Sequence, residues 1–210
     1  MTAEDEDALE AGRLLFARPA RFAWAAQTLD QLPPAELPEI AFAGRSNAGK
    51  SSLLNALTGH GRLARVSHTP GRTRQLNFFA LDGRLMLVDL PGYGYARASR
   101  ALKNAWQAAM FAYLRGRPTL RRIVLLMDCR VGPKDSDAEA MALFDRAAVP
   151  FMIVLTKVDD AEPALLAARI ADAEALARAH PAGHPRVIAT SARSLVGVPE
   201  LRAELARLAA

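Results

Sequence analysis

Six short apolar runs punctuate the chain: "EIAFAG" (39–44), "QLNFFAL" (75–81), "RLMLVDL" (84–90), "RRIVLLMD" (121–128), "FMIVLT" (151–156) and "RVIATS" (186–191). Their length and their content of β-branched and aromatic residues predict strands. Helices are expected at about 50–58, 98–116, 135–148, 162–179 and 199–209, where "SDAEAMALFDRA" and "AEPALLAARIADAEALARA" space apolar residues three and four apart. The second and third runs are separated by Asp82-Gly83, a two-residue turn signal that predicts an antiparallel hairpin. The implied fold class is α/β: a mostly parallel six-stranded sheet with one antiparallel hairpin and helices on both faces. Ligands of such sheets bind at the carboxyl ends of the strands. Residues 1–15 read as a flexible acidic tail and "DQLPPAELPE" as a helix breaker, so residues 16–210 are expected to form one domain. There is no internal repeat or low-complexity tract.

Composition adds a few bounds. A chain of 210 residues, 51% hydrophobic and 23% charged, is long enough for one full core and unlike a disordered segment. Cys129, the only cysteine, cannot form an internal disulfide and reads as a small buried hydrophobe, which favours a reducing compartment. The start "MTAEDEDALE" is acidic where a targeting segment would be basic, and no apolar run nears the ~18 residues of a membrane span. A cytoplasmic protein without membrane contact is expected. The net charge of +5 is compatible with a polyanionic partner, but 23 arginines against 4 lysines suggest that base composition contributes.

Motifs carry more. Gly44–Ser51 fits G-x-x-x-x-G-K-[ST] between an expected strand and an expected helix, the context a phosphate-binding loop requires. Gly44, Arg45, Ser46, Asn47, Ala48, Gly49, Lys50, Ser51 and Ser52 would then wrap a phosphate chain, Lys50 neutralising the β- and γ-phosphates and the Ser51 hydroxyl ligating Mg²⁺. "VDLPG" places Asp89 at a strand end to hold Mg²⁺ and Gly92 to sense a γ-phosphate. "TKVD" (Thr156, Lys157, Asp159) follows a strand, and the Asp159 carboxylate can accept the N1–H and 2-amino group of guanine, a pair of donors adenine lacks. The Lys157 stem can pack over the base, and Thr190, Ser191 and Ala192 would bring N–H groups near the guanine O6. In "HTPGRTRQLNFF", between the two phosphate motifs, Thr69 and Thr73 are both candidates for a switch hydroxyl that ligates Mg²⁺ only beside GTP.

In this order the motifs "GRSNAGKSSLLNAL", "TPGRTRQLNFF", "DLPGYGYA" and "VLTKVD" resemble the bacterial EngB (YihA/YsxC) family of ribosome-biogenesis GTP-binding proteins, over roughly residues 16–208. The resemblance implies a three-layer Ras-like P-loop GTPase domain with a short N-terminal extension, slow turnover of GTP to GDP, and action in assembly of the large ribosomal subunit, with growth and division depending on it. It selects Thr73, with Gly71 beside it, as the switch residue. Asp160 is a departure, since the family usually carries lysine there.

Tyr93 occupies the position where some GTPases place the glutamine that orients water. Several GTPases of similar sequence use an asparagine at the position of Asn47 to coordinate K⁺ beside the phosphates, so the resemblance implies a catalytic group of Lys50, Asn47, Thr73 and Gly92. Arg62, Arg65, Arg72, Arg74, Arg97, Arg100 and Lys103 flank the expected switches, where a GTP-dependent basic face would suit ribosomal RNA. Tyr93, Tyr95 and Trp106 are candidates for base stacking, with packing against the sheet as the competing reading for at least one of them. The partners expected are large-subunit particles or their precursors and ribosomal RNA, with no DNA and no membrane, and the chain is expected to be monomeric. The competing readings are a metabolic P-loop kinase and a GTPase acting directly in division-site regulation or RNA modification.

Overall fold

The computed structural model describes residues 2–61, 63–64, 75–94 and 100–209, without the side chains of 100–103 and 105. Among the described residues, seven strands form one sheet: β1 (Ala20–Ala26), β2 (Glu39–Gly44), β3 (Leu76–Leu81), β4 (Leu85–Asp89), β5 (Leu120–Asp128), β6 (Phe151–Thr156) and β7 (Ile188–Ala189). Their order is β1-β3-β4-β2-β5-β6-β7. β4, β2, β5, β6 and β7 run parallel. β3 is antiparallel to β4, and β1 to β3. The hairpin turn is the expected one, with Asp82 and Gly83 at φ 47° and 65°, the left-handed pair that matches strand twist. β2 and β6 are buried along their whole length, because helices cover both faces. Helices α1 (Ala3–Phe16), α2 (Lys50–Thr58) and α6 (Val198–Ala206) pack on one side, and α3 (Arg100–Gly116), α4 (Asp135–Ala147) and α5 (Pro163–Ala179) on the other.

Two expectations are corrected. Among the described residues the sheet has seven strands and not six: β1 is an edge strand whose middle residues are exposed, and its alanine-rich run lacks the β-branched residues found in the covered β2 and β6. Residues 3–15, expected within a flexible tail, belong to α1. Thr2 and Asp5 close a capping box, Glu4, Asp5 and Glu6 favour the N-terminal dipole, and Arg13 lies in the last turn. Leu15 and Phe16 are buried. A Cβ on Gly12 would come within 2.5 Å of the Ala203 backbone nitrogen, so glycine lets α1 lie directly on α6. Among the described residues, no helix is long and apolar enough to cross a membrane. The amphipathic α3 instead buries Met110, Tyr113 and Leu114. Cys129 is buried, as expected.

At the amino-terminal edge of the sheet, away from the strand ends that bear the motifs, Glu39 and Arg117 form a buried pair. Arg117 Nε donates to both Glu39 carboxylate oxygens at 2.8 and 3.0 Å, and Tyr113 donates to Glu39 at 3.1 Å. A second Arg117 nitrogen donates to the Pro33 carbonyl at 2.7 Å, tying the proline-rich connection to the sheet.

Candidate functional site

The carboxyl ends of β2, β4, β5 and β6 and the loop after β7 converge. β2 ends at Gly44, the chain turns through Arg45–Gly49, and α2 begins at Lys50, so the N–H groups of the first turn of α2 face the loop. The segment after β4 is fastened to this loop: Ser46 N–H donates to the Tyr93 carbonyl at 3.0 Å, and Tyr93 N–H to the Gly44 carbonyl at 3.4 Å. A side chain at Gly92 would lie 3.3 Å from Ser46 N and 3.4 Å from Lys50 Nζ, so the backbone there approaches the lysine closely.

Asp89 and Lys50 face each other at the base of the loop. Burial pushes the Asp89 carboxyl up to about 6, against the opposing pull of Lys50. Burial also lowers the Lys50 ammonium, with the Asp89 charge working against it. Asp89 Oδ1 is buried without a hydrogen-bond partner among the described residues. A buried carboxylate oxygen without a donor, beside the hydroxyl-bearing start of α2, is a donor set suited to a hard divalent cation.

Thr156 and Lys157 have a role not foreseen from the sequence. Thr156 Oγ donates to the Ala48 carbonyl at 2.7 Å, and Lys157 Nζ to the Asn47 carbonyl at 2.6 Å. The lysine head thus braces the phosphate loop, while its stem lines the pocket. Asn47 has φ 66°, a left-handed conformation that asparagine tolerates better than most residues, so the bend is one reason for its residue type. Lys157 Nζ also donates to Asp128 at 2.8 Å. Burial would raise the Asp128 carboxyl, but hydrogen bonds from Arg130 and Lys157 outweigh it and hold the group at about 2.

A pocket of about 430 Å³ lies between these elements, and Gly49, Ser52, Thr156, Lys157, Asp159 and Ala192 are among the residues that line it. Thr190 is fixed by donating its hydroxyl to the Leu155 carbonyl at 2.9 Å. Ser191 Oγ accepts from the N–H groups of Arg193 and Ser194 at 3.1 and 3.0 Å, shaping the loop after β7. The Asp159 carboxyl is lowered, first by a hydrogen bond from Ser191 and further by Arg193, whose Nε lies 2.8 Å away. Asp160 pairs with Arg130 at 3.2 Å and with Arg193 at 3.3 Å.

Tyr93 turns away from the phosphate loop. Its ring is buried at 5.6 Å from that of Trp106, and its hydroxyl donates to Asp137 at 2.8 Å. Arg45 Nε lies 3.1 Å from the other Asp137 oxygen, close enough for an ion pair but outside hydrogen-bond geometry. Tyr93 is therefore unavailable for base stacking, and its phenol is held by α4. Thr69, Gly71, Thr73, Arg62, Arg65, Arg72, Arg74, Tyr95, Arg97 and the side chains of Arg100 and Lys103 lie outside the described residues. Asp128, Arg130, Asp137 and Arg193 were not singled out from the sequence. The one available signal was that each lies at a strand's carboxyl end, or within or just after the loop that follows one.

Residues 39–157 match the family model described as "50S ribosome-binding GTPase". A protein of Gluconobacter oxydans strain 621H named "Probable GTP-binding protein EngB" is 58% identical over 97% of this chain and 90% of its own length. A Bradyrhizobium diazoefficiens protein of the same name is 53% identical over 98% of this chain and 96% of its own. Among solved structures, "a probable GTP-binding protein engB" superposes with a TM-score of 0.65 at 21% identity, over 81% of this chain and 98% of that one, a likeness of fold. With a phosphate loop, a strand-end aspartate and a TKVD pocket joined in one site, the chain belongs to the EngB family of GTP-binding proteins and is a P-loop GTPase.

Proposed function

We propose that this protein is a GTP-controlled switch that acts in the cytoplasm, as a monomer, in assembly of the bacterial large ribosomal subunit, and that growth and division depend on it. The observation that carries the reading is the junction of Thr156 and Lys157 with the phosphate-loop carbonyls, which sets the base pocket beside the phosphate site. The family model's description supports a ribosomal partner. Gly44–Ser52 hold the phosphates, Asp159 reads the guanine, and Thr190, Ser191 and Ala192 approach its O6. Gly92 senses the γ-phosphate, with Gly71 and Thr73 closing from the switch. Ser51, Thr73 and Asp89 hold Mg²⁺, which neutralises charge on the β- and γ-phosphates when bound. The arginines flanking the switches meet ribosomal RNA. Depletion from cells is expected to lower mature large subunits and accumulate lighter precursor particles; an unchanged ribosome profile would overturn the assembly role.

The Asp89 environment gives a pH dependence. Its carboxyl titrates near 6 before Mg²⁺ binds, and only the ionised form ligates a cation. Asp159 is lowered and stays charged through that range. The Mg²⁺-dependent gain in GDP affinity is therefore expected to fall by up to about tenfold per pH unit below ~6. Titration of GDP binding with and without Mg²⁺ checks this, and Asp89→Asn should remove the Asp89 share of the dependence, leaving that of the GDP terminal phosphate, which itself titrates at about 6.

For Asn47, we propose that its side chain holds K⁺ beside the phosphates. GTP turnover should then be faster in potassium than in sodium at equal ionic strength, and Asn47→Ala should remove the difference. Equal rates in the two salts would exclude this role.

A further inference from the structure

Asp159 already has a partner. Arg193 Nε sits 2.8 Å from one of its oxygens, while another nitrogen of the same guanidinium reaches Asp160 at 3.3 Å. Both aspartates and Arg193 line the pocket, so this arginine stands where a base must enter. Asp160 is itself held by Arg130 at 3.2 Å, Arg130 by Asp128 at 2.8 Å, and Asp128 by Lys157 at 2.8 Å. Three cations and three carboxylates thus alternate from the phosphate loop to the rim of the base pocket. Arg193 is the most exposed member of the set: its side chain is 76% exposed, against 15% for Asp159.

We infer that Arg193 competes with the base for the pocket, holding the Asp159 carboxylate until a base offering two adjacent donors takes its place, with Asp160 keeping the displaced guanidinium at the rim. The inference rests on the reading of Asp159 as the guanine-selecting group. A base with the guanine pattern replaces the ion pair that Arg193 gives up with two hydrogen bonds. Adenine cannot: either the guanidinium stays in its path or, once Arg193 has moved, the carboxylate is left unmatched. The Asp160 carboxylate lowers the cost of the exchange, because the arginine keeps one ion pair when it moves.

An exposed ion pair is weak, so the arginine delays guanine without excluding it. Closing the site for part of the time reduces apparent affinity by the open fraction. Removing Arg193 is expected to tighten GDP binding about two- to fivefold through faster association, and the gain should vanish at high ionic strength, where the pair is screened.

The experiment is stopped-flow and equilibrium binding of fluorescent, ribose-labelled GDP to the wild type, Arg193→Ala and Asp159→Asn at low and high salt. Faster association to Arg193→Ala at low salt only, with dissociation unchanged, is the expected result. Unchanged association, or weaker binding through faster dissociation, would overturn the proposal, the latter by making Arg193 a clamp on bound base. Asp159→Asn separates the two levels. If it binds GDP like the wild type, the base-reading role fails and the inference with it. If it loses GDP while Arg193→Ala behaves as wild type, only the role of Arg193 fails.

Discussion

Asp159→Asn is expected to lower affinity for GTP and GDP by about 10³- to 10⁴-fold and to transfer preference to xanthine nucleotides. A carboxylate offers two acceptors to the N1–H and 2-amino group of guanine. The asparagine amide offers one acceptor and one donor, so its NH₂ opposes the 2-amino group and leaves two donors facing each other. Xanthine carries an oxygen at that position and restores the pairing. The magnitude follows from leaving polar groups unpaired in a partly enclosed pocket. The substitution keeps side-chain size and removes the ion pair with Arg193, which is exposed enough that folding should be unaffected. Competition binding with GTP, XTP and ATP checks the result. Retained GTP preference would place guanine reading elsewhere in the pocket.

Glu39→Ala is expected to destabilise the fold by about 3–5 kcal/mol, because it leaves the Arg117 guanidinium buried without its carboxylate. The Tyr113 hydroxyl loses its acceptor as well. For a chain of this size a loss of that order lowers the melting temperature by roughly 10 °C. Replacing both members, as in Glu39→Leu with Arg117→Met, should recover much of the loss, since no unpaired charge then remains. Thermal unfolding of the two variants in parallel tests this. Because Glu39 lies at the opposite edge of the sheet from the phosphate loop, GDP affinity of folded Glu39→Ala at low temperature should equal that of the wild type. A single variant as stable as the wild type would show that Arg117 is satisfied by the Pro33 and Pro34 carbonyls alone.

What the sequence made legible follows from how contiguous each signal is. The bounds of β2 and β6 are those of their apolar runs, because both faces of these strands are covered and all but Glu39 and Thr156, at one end of each, are apolar. The phosphate loop and Asp159 were legible because their spacing is fixed within a few residues. β1 was not, since Phe22 and Trp24 are about half exposed on an edge strand and the alanines around them favour helix. α1 was obscured by its acidic residues, which stabilise a helix start but resemble those of a solvated tail. "RVIATS" keeps only Ile188 and Ala189 in the sheet, because Thr190 and Ser191 leave the ladder to shape the pocket loop. The bracing contacts had no local signature. Lys157 and Asn47 lie 110 positions apart and Tyr93 and Asp137 lie 44 apart, so only the folded topology brings them together.

The proposed coupling of a guanine-selective pocket to a nucleotide-dependent ribosomal partner is tested most directly by co-sedimentation. Purified protein would be spun with large subunits, small subunits and large-subunit precursors, in a non-hydrolysable GTP analogue or in GDP. Retention on large-subunit particles with the analogue and release with GDP is the predicted result. Equal binding in both nucleotide states, or no binding to any ribosomal particle, would contradict it.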